Sequence, residues 1–150
     1  MPTEEISILF RHPSRRMQRR PLREFLNEAA RRIVPGQGVA CLITDDRELR
    51  ALNRRFLRKD FPTDILSFPA PIETGNGTAG EMAISLDRAA VQAAGFGHSL
   101  DEELRILMLH GLLHLAGMDH EIDHGEMARA EARWRKRLKL PPGLVERAGA

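Results

Sequence analysis

The apolar positions change period several times along the chain, and each change predicts an element. Ile6 to Phe10, with Ile6, Leu9 and Phe10 apolar, predicts a short strand. From Arg20 to about Ile33 the spacing becomes helical. Leu22, Phe25, Leu26, Ala29 and Ala30 share one stripe, Pro21 suits the first turn, and Pro35-Gly36 ends the run. Val39 to Ile43 is an apolar run of strand length. Thr44, Asp45 and Asp46 can cap a helix that reaches Phe56, with Leu49, Leu52 and Phe56 on one side. Asp60-Phe61-Pro62-Thr63-Asp64 breaks it, and Ile65 to Phe68 predicts the next strand. A turn at Asn76-Gly77 leads to a strand over Glu81 to Ser85, and a helix follows from Leu86 to about Ala94. Ser99 and Glu102 form a capping box for a helix carrying Leu104, Leu107, Met108, Leu112 and Leu115, which stops at Gly117. A last helix is predicted from about Asp123 to Leu138, closed by Pro141-Pro142.

Four strands mixed with about five helices in 150 residues predict a single α/β (α+β) domain over residues 1–150. The hairpin at Asn76-Gly77 makes one strand pair antiparallel, so the small sheet is expected to be mixed. The only cysteine, Cys41, excludes an intrachain disulfide and lies within an apolar run. It reads as a buried small hydrophobe rather than a nucleophile. The N-terminus, Met1-Pro2-Thr3-Glu4-Glu5, is not followed by the apolar core of a signal peptide, and no stretch reaches the ~20 apolar residues that span a bilayer. The expected location is the cytoplasm, with no membrane partner.

A net charge of +2 hides an uneven distribution. Residues 11–32 hold eight arginines and two glutamates, 47–59 hold six basic residues and one acid, and 133–139 hold five basic residues and no acid. Solvated helix faces account for any one cluster, but three together suggest a polyanionic partner, bound by counterion release and therefore sensitive to salt. No aromatic stacking motif accompanies them, since the chain has no tyrosine and scattered phenylalanines.

Four of the six histidines fall between His110 and His124. Residues four apart on a helix lie ~6 Å apart along the axis on one face, so His110 and His114 can present two imidazoles to one ion. Their neighbours are apolar, and two unpartnered imidazoles there would be costly to desolvate. Gly117 can take the left-handed conformation that turns the chain and returns His120 to the same point. Three imidazoles leave a tetrahedral ion one open position, as in catalytic zinc sites, where water is activated near neutral pH. His124 reads as an exposed residue at the start of the next helix, with a role as ligand or ligand support as the alternative. Asp119 can either orient a ligand histidine through its second ring nitrogen or cap the final helix. The H-x3-H-x2-G-x2-H spacing is that of metzincin proteases, except that Gly111 stands where those enzymes carry a glutamate base.

His110-Gly-Leu-Leu-His114-Leu-Ala-Gly117-Met118-Asp119-His120 resembles the signature of the YbeY family of bacterial zinc-dependent endoribonucleases and rRNA maturation factors. Leu52-Asn53, followed by Asp60-Phe61-Pro62-Thr63-Asp64-Ile65-Leu66-Ser67-Phe68-Pro69, is similar to the family's central motif, and Gly80 to Ser85 to its Gly-Asp-Ile strand. The resemblance covers roughly residues 40 to 138. It implies a zincin-like sheet with helices and one zinc per chain on His110, His114 and His120. It also implies a single-strand-specific endoribonuclease that matures the 3′ end of small-subunit rRNA and serves ribosome quality control. Its partners would then be rRNA and the small ribosomal subunit.

Three positions depart from the family pattern. Its arginine after the central aromatic falls on Leu57, so Arg55 or Arg58 is the candidate to contact phosphate, with Arg58 the candidate catalytic residue. Glu81 replaces an aspartate and Met118 a tyrosine. Ser67 and Thr63 are candidates to line the substrate cleft, or to serve as turn and strand hydrogen-bonding groups. Gly111 either leaves room beside the metal for a phosphodiester or lets a strand pack closely. Two other functions fit the same residues: a metalloprotease-like hydrolase lacking its glutamate base, and a non-catalytic ribosome-associated factor whose metal holds the last helices together.

Overall fold

The sequence breakers and the strand-length apolar runs sort the chain into four strands and six helices among the described residues, which in this computed structural model are 5–60, 63–71 and 77–148. In chain order these are β1 (Ile6–Phe10), α1 (Arg19–Ile33), β2 (Gly38–Thr44), α2 (Asp46–Leu57), β3 (Ile65–Pro69), β4 (Thr78–Ser85), α3 (Leu86–Phe96), α4 (Leu100–Leu115), α5 (Glu126–Arg137) and α6 (Leu144–Ala148). The sheet order is β1-β2-β4-β3. β1, β2 and β4 run parallel, and β3 pairs antiparallel with β4, Ser67 opposite Met82. The mixed sheet expected from the sequence is therefore present, although Asn76 and Phe61-Pro62 lie outside the described residues.

Strand alternation divides the core. Val39, Cys41 and Ile43 of β2, with Met82 and Ile84 of β4, join Leu22, Leu26 and Ala30 of α1 and Leu104, Leu107, Met108 and Leu112 of α4 on one face. On the other face Leu66 and Ala83 meet Leu49 of α2. Behind α4, Ile106, Leu109 and Leu113 pack on Met127 and Ala130 of α5. α4 is thus covered on several sides, and twelve of its sixteen residues are buried. Within this core Cys41 is fully enclosed, and burial pushes its thiol up to about 12, as suits a packing residue.

The capping chemistry explains the boundaries. Asp45 accepts from the Glu48 amide (2.8 Å), and Ser99 and Glu102 exchange backbone bonds (3.1 and 2.9 Å) in the predicted capping box. The last predicted helix starts three residues later than Asp123. The Asp123 carboxylate accepts from the Gly125 and Met127 amides instead, holding a turn ahead of α5. Pro141-Pro142 does not end the helical structure, because α6 follows it. Phe56, predicted on the apolar side of α2, is 56% exposed and meets Phe68 edge-on at 5.6 Å.

Candidate metal centre

The buried helix α4 brings His110 and His114 to its C-terminal end, one turn apart. Gly117, at φ +100°, then turns the chain, with its amide donating to the His114 carbonyl (2.9 Å) and that of Met118 to the Leu113 carbonyl (3.0 Å). His120 returns to the pair. One ligand atom from each of the three rings lies within 4.8 Å of the others, and the Nε2 atoms of His110 and His114 are 3.2 Å apart. His110 is buried, His114 half-buried and His120 exposed, so the group opens to solvent on one side. Burial, followed by the neighbouring imidazoles of His110 and His120, holds the His114 pKa below its ordinary value. A neutral ring keeps the lone pair that a metal needs. Three converging nitrogen donors with one open side suit a zinc-type ion, and this group could hold a metal ion. His124 is exposed, its backbone amide donating to Glu126.

The triad lines a cleft of about 440 Å³. Asn53, Leu57 and Lys59 come from the end of α2 and the turn after it, Ile65 and Ser67 from β3, and Leu144 and Val145 from α6. A space of this size is in the range of small-molecule sites and can take a nucleotide-sized unit. Thr63, Asp64 and Glu121 also line it, so the cleft carries acidic as well as basic groups.

Residues 10–139 match the family described as Endoribonuclease YbeY. The chain belongs to that family. It is 47% identical to the Endoribonuclease YbeY of Solibacter usitatus over 96% of this chain and 95% of the relative. It is 60% identical to that of Koribacter versatilis over 76% of this chain and 72% of the relative. A Thermotoga maritima protein solved in solution shares the fold, with a TM-score of 0.62 and 27% identity over 89% of this chain and 91% of that one.

For a YbeY family member, the residues around the triad are placed unevenly. Ser67 lines the cleft, as do Ile65 and Leu66 before it in β3. Leu57, where the family pattern has an arginine, is 45% exposed and lines the cleft too, and Lys59 is the basic side chain beside it. Arg55 and Arg58 are exposed and are not among the lining residues. The Arg55 guanidinium lies 5.2 Å from the centre of the Phe56 ring, and Arg58 occupies the left-handed C-cap of α2 (φ 57°), so it has left the helical stripe. The N-cap of α5 is Gly125 rather than Asp119. The Asp119 carboxylate accepts from the Glu121 amide (3.0 Å) in the turn leading to His120.

The carboxylate that does reach a ring of the triad is that of Glu131, whose Oε2 is 3.1 Å from His110 Nδ1. Sequence reasoning missed this residue. Its signal was a glutamate on the apolar stripe of α5, at helical spacing with Met127, Ala130 and Trp134. Gly111 is explained by packing. A side chain there would meet Ile65 Cδ1 and Met82 Sδ at 3.0 Å, so β3 and β4 fill the space that glycine leaves. The arginines of the first basic cluster are partly spent within the fold: Arg11 pairs with Glu48, Arg32 with Glu28, and Arg19 and Arg23 lie over Phe10.

Proposed function

We propose that this protein is a zinc-dependent endoribonuclease that cuts single-stranded RNA, matures the 3′ end of small-subunit rRNA and serves ribosome quality control in the cytoplasm. The observation that carries the reading is the three-imidazole group opening into the cleft. The family relatives named Endoribonuclease YbeY support the RNA substrate. Among the described residues no helix is long and apolar enough to cross a membrane.

His110, His114 and His120 would hold the zinc, which supplies Lewis acidity toward a phosphoryl oxygen and activation of water near neutral pH. The chain's own residues do the rest. Lys59 offers an ammonium, and Ser67 a hydroxyl, to a phosphate in the cleft that both residues line. Arg55 and Arg58, exposed and near Lys59 in sequence, serve the flanking backbone of a longer RNA by charge. The apolar Leu57, Leu144 and Val145 give an unpaired base or sugar a dry surface, which a duplex cannot use because its bases are stacked and paired. Gly111 leaves the metal without the glutamate base of the metzincin spacing, which favours the nuclease over the protease.

His114→Ala tests the reading. The variant should fold, hold less than a tenth of the parent's zinc and lose cleavage of an unstructured RNA. Undiminished zinc or undiminished cleavage would overturn it. The parent should leave a fully paired duplex intact under the same conditions.

A further inference from the structure

Glu131 makes bonds in two directions from one buried carboxylate, 1% exposed. Oε2 faces His110 Nδ1 at 3.1 Å. Oε1 accepts from the backbone amides of Val145 (2.8 Å) and Glu146 (3.3 Å), at the start of α6. Leu144 and Val145 are also a wall of the cleft. Space for this arrangement comes from Gly143, where an added Cβ would lie 2.5 Å from both Cδ and Oε1 of Glu131. α5 supplies the carboxylate, α4 the imidazole and α6 the wall, so three elements meet at one side chain.

An ionised carboxylate can only accept hydrogen bonds. Where the Glu131 carboxylate accepts from His110 Nδ1–H, the Nε2 lone pair is left facing His114 Nε2 at 3.2 Å. The same carboxylate loses part of its support if α6 moves away, because its other oxygen then loses two amide donors. A glutamine at 131 has one acceptor oxygen and one donor nitrogen. Its oxygen can serve either the His110 N–H or the α6 amides, never both.

We propose that Glu131 is a positioning residue that couples the metal ligand His110 to the C-terminal wall of the cleft, so that docking of α6 and affinity for the metal rise and fall together. This rests on the metal reading above. Coupling of this kind is reciprocal: zinc tightens α6, and a docked α6 tightens zinc.

The test measures zinc affinity by competition with a chelator, and amide hydrogen exchange at Val145 and Glu146, in the parent, Glu131→Gln and Gly143→Ala. In the parent, zinc should slow exchange at both amides. The three atoms nearest an added Cβ at 143 all belong to Glu131, so Gly143→Ala displaces the carboxylate. It should weaken zinc binding roughly 10-fold and speed exchange at both amides. Glu131→Gln should weaken zinc binding about 10- to 100-fold, the range typical of groups that support metal ligands. Circular dichroism establishes that each variant is folded, and either variant alone suffices. Parent-like zinc affinity in a folded variant, or exchange at Val145 and Glu146 that ignores zinc in the parent, overturns the coupling. A parent that takes up no zinc at all overturns the metal reading, and the coupling with it.

Discussion

Helix α4 has a buried histidine–glutamate pair at each end, and the two differ in what surrounds them. At its start, His98 Nε2 lies 2.6 Å from Glu103 Oε1, and Glu103 is fully buried. Near its end, His110 Nδ1 lies 3.1 Å from Glu131 Oε2. The Glu103 carboxylate is also gripped by both terminal nitrogens of Arg147 (3.0 and 3.1 Å). That guanidinium sits 4.2 Å from the centre of the Phe96 ring, which in turn stacks on His98 with 8° between planes. This first cluster is closed: every group faces another, and its work is to hold α3, α4 and α6 together. The second pair is open. Its carboxylate takes one ring nitrogen of His110, and the other nitrogen points toward His114 and His120. A buried imidazole–carboxylate pair is thus no sign of a metal by itself. The second imidazole one turn later and the third beyond Gly117 make the difference.

The largest expected effect breaks the closed pair. Glu103→Ala leaves Arg147 without its counter-charge in a buried setting, and removing one partner of such a pair typically costs about 3–5 kcal/mol. Denaturant unfolding should show that loss, while the folded variant still binds one zinc per chain. Loss of zinc without loss of stability would erase the distinction between the two ends of α4.

Gly111 directly follows His110 on α4, against Ile65 of β3 and Met82 of β4. Gly111→Val forces a branched side chain toward Ile65 and Met82 at a site where even a Cβ is tight, so stability should fall by about 1–3 kcal/mol in the same titration. A variant as stable as the parent would mean that the helix does not rest on the sheet at this point.

The smallest effect comes from a pair outside the core. Arg11 and Glu48 are joined at the surface, and the hydrogen bond from Arg11, then that from Thr44, holds the Glu48 carboxyl below its ordinary 4.5. A lowered carboxyl stabilises the fold above its unfolded pKa, and the contribution fades as the pH falls through the folded value. Glu48→Gln should therefore cost about 0.2–1 kcal/mol at pH 7, the range of exposed pairs, and the difference should shrink below pH 4.5. A difference that grows in acid would contradict the assignment.

Local features carried much of this structure into view from the sequence. The capping box at Ser99, the leucine-rich α4, the i, i+4 histidines and the turn at Gly117 are all encoded within a few residues. The four strands were legible for the same reason, from short apolar runs between breakers. What stayed hidden depends on pairing between distant segments. Glu131 is 21 residues from His110 and meets it only because α5 packs on α4. The α6 wall follows two prolines that read as an end. The sequence around Gly111 fits either of two roles, because the residues that meet it, Ile65 and Met82, belong to the sheet at its back. Arg58 was a candidate from its place one residue after Leu57, and its left-handed conformation at the C-cap of α2 is a backbone feature that the sequence spacing does not reveal.

The most direct measurement strips the protein with a chelator, returns zinc in steps, and follows bound metal and cleavage of an unstructured RNA in the same samples. The account predicts that cleavage is absent at the start, rises in proportion to bound zinc and levels off at one equivalent per chain. Full cleavage by the stripped protein, or a rise that continues to two equivalents, would contradict it.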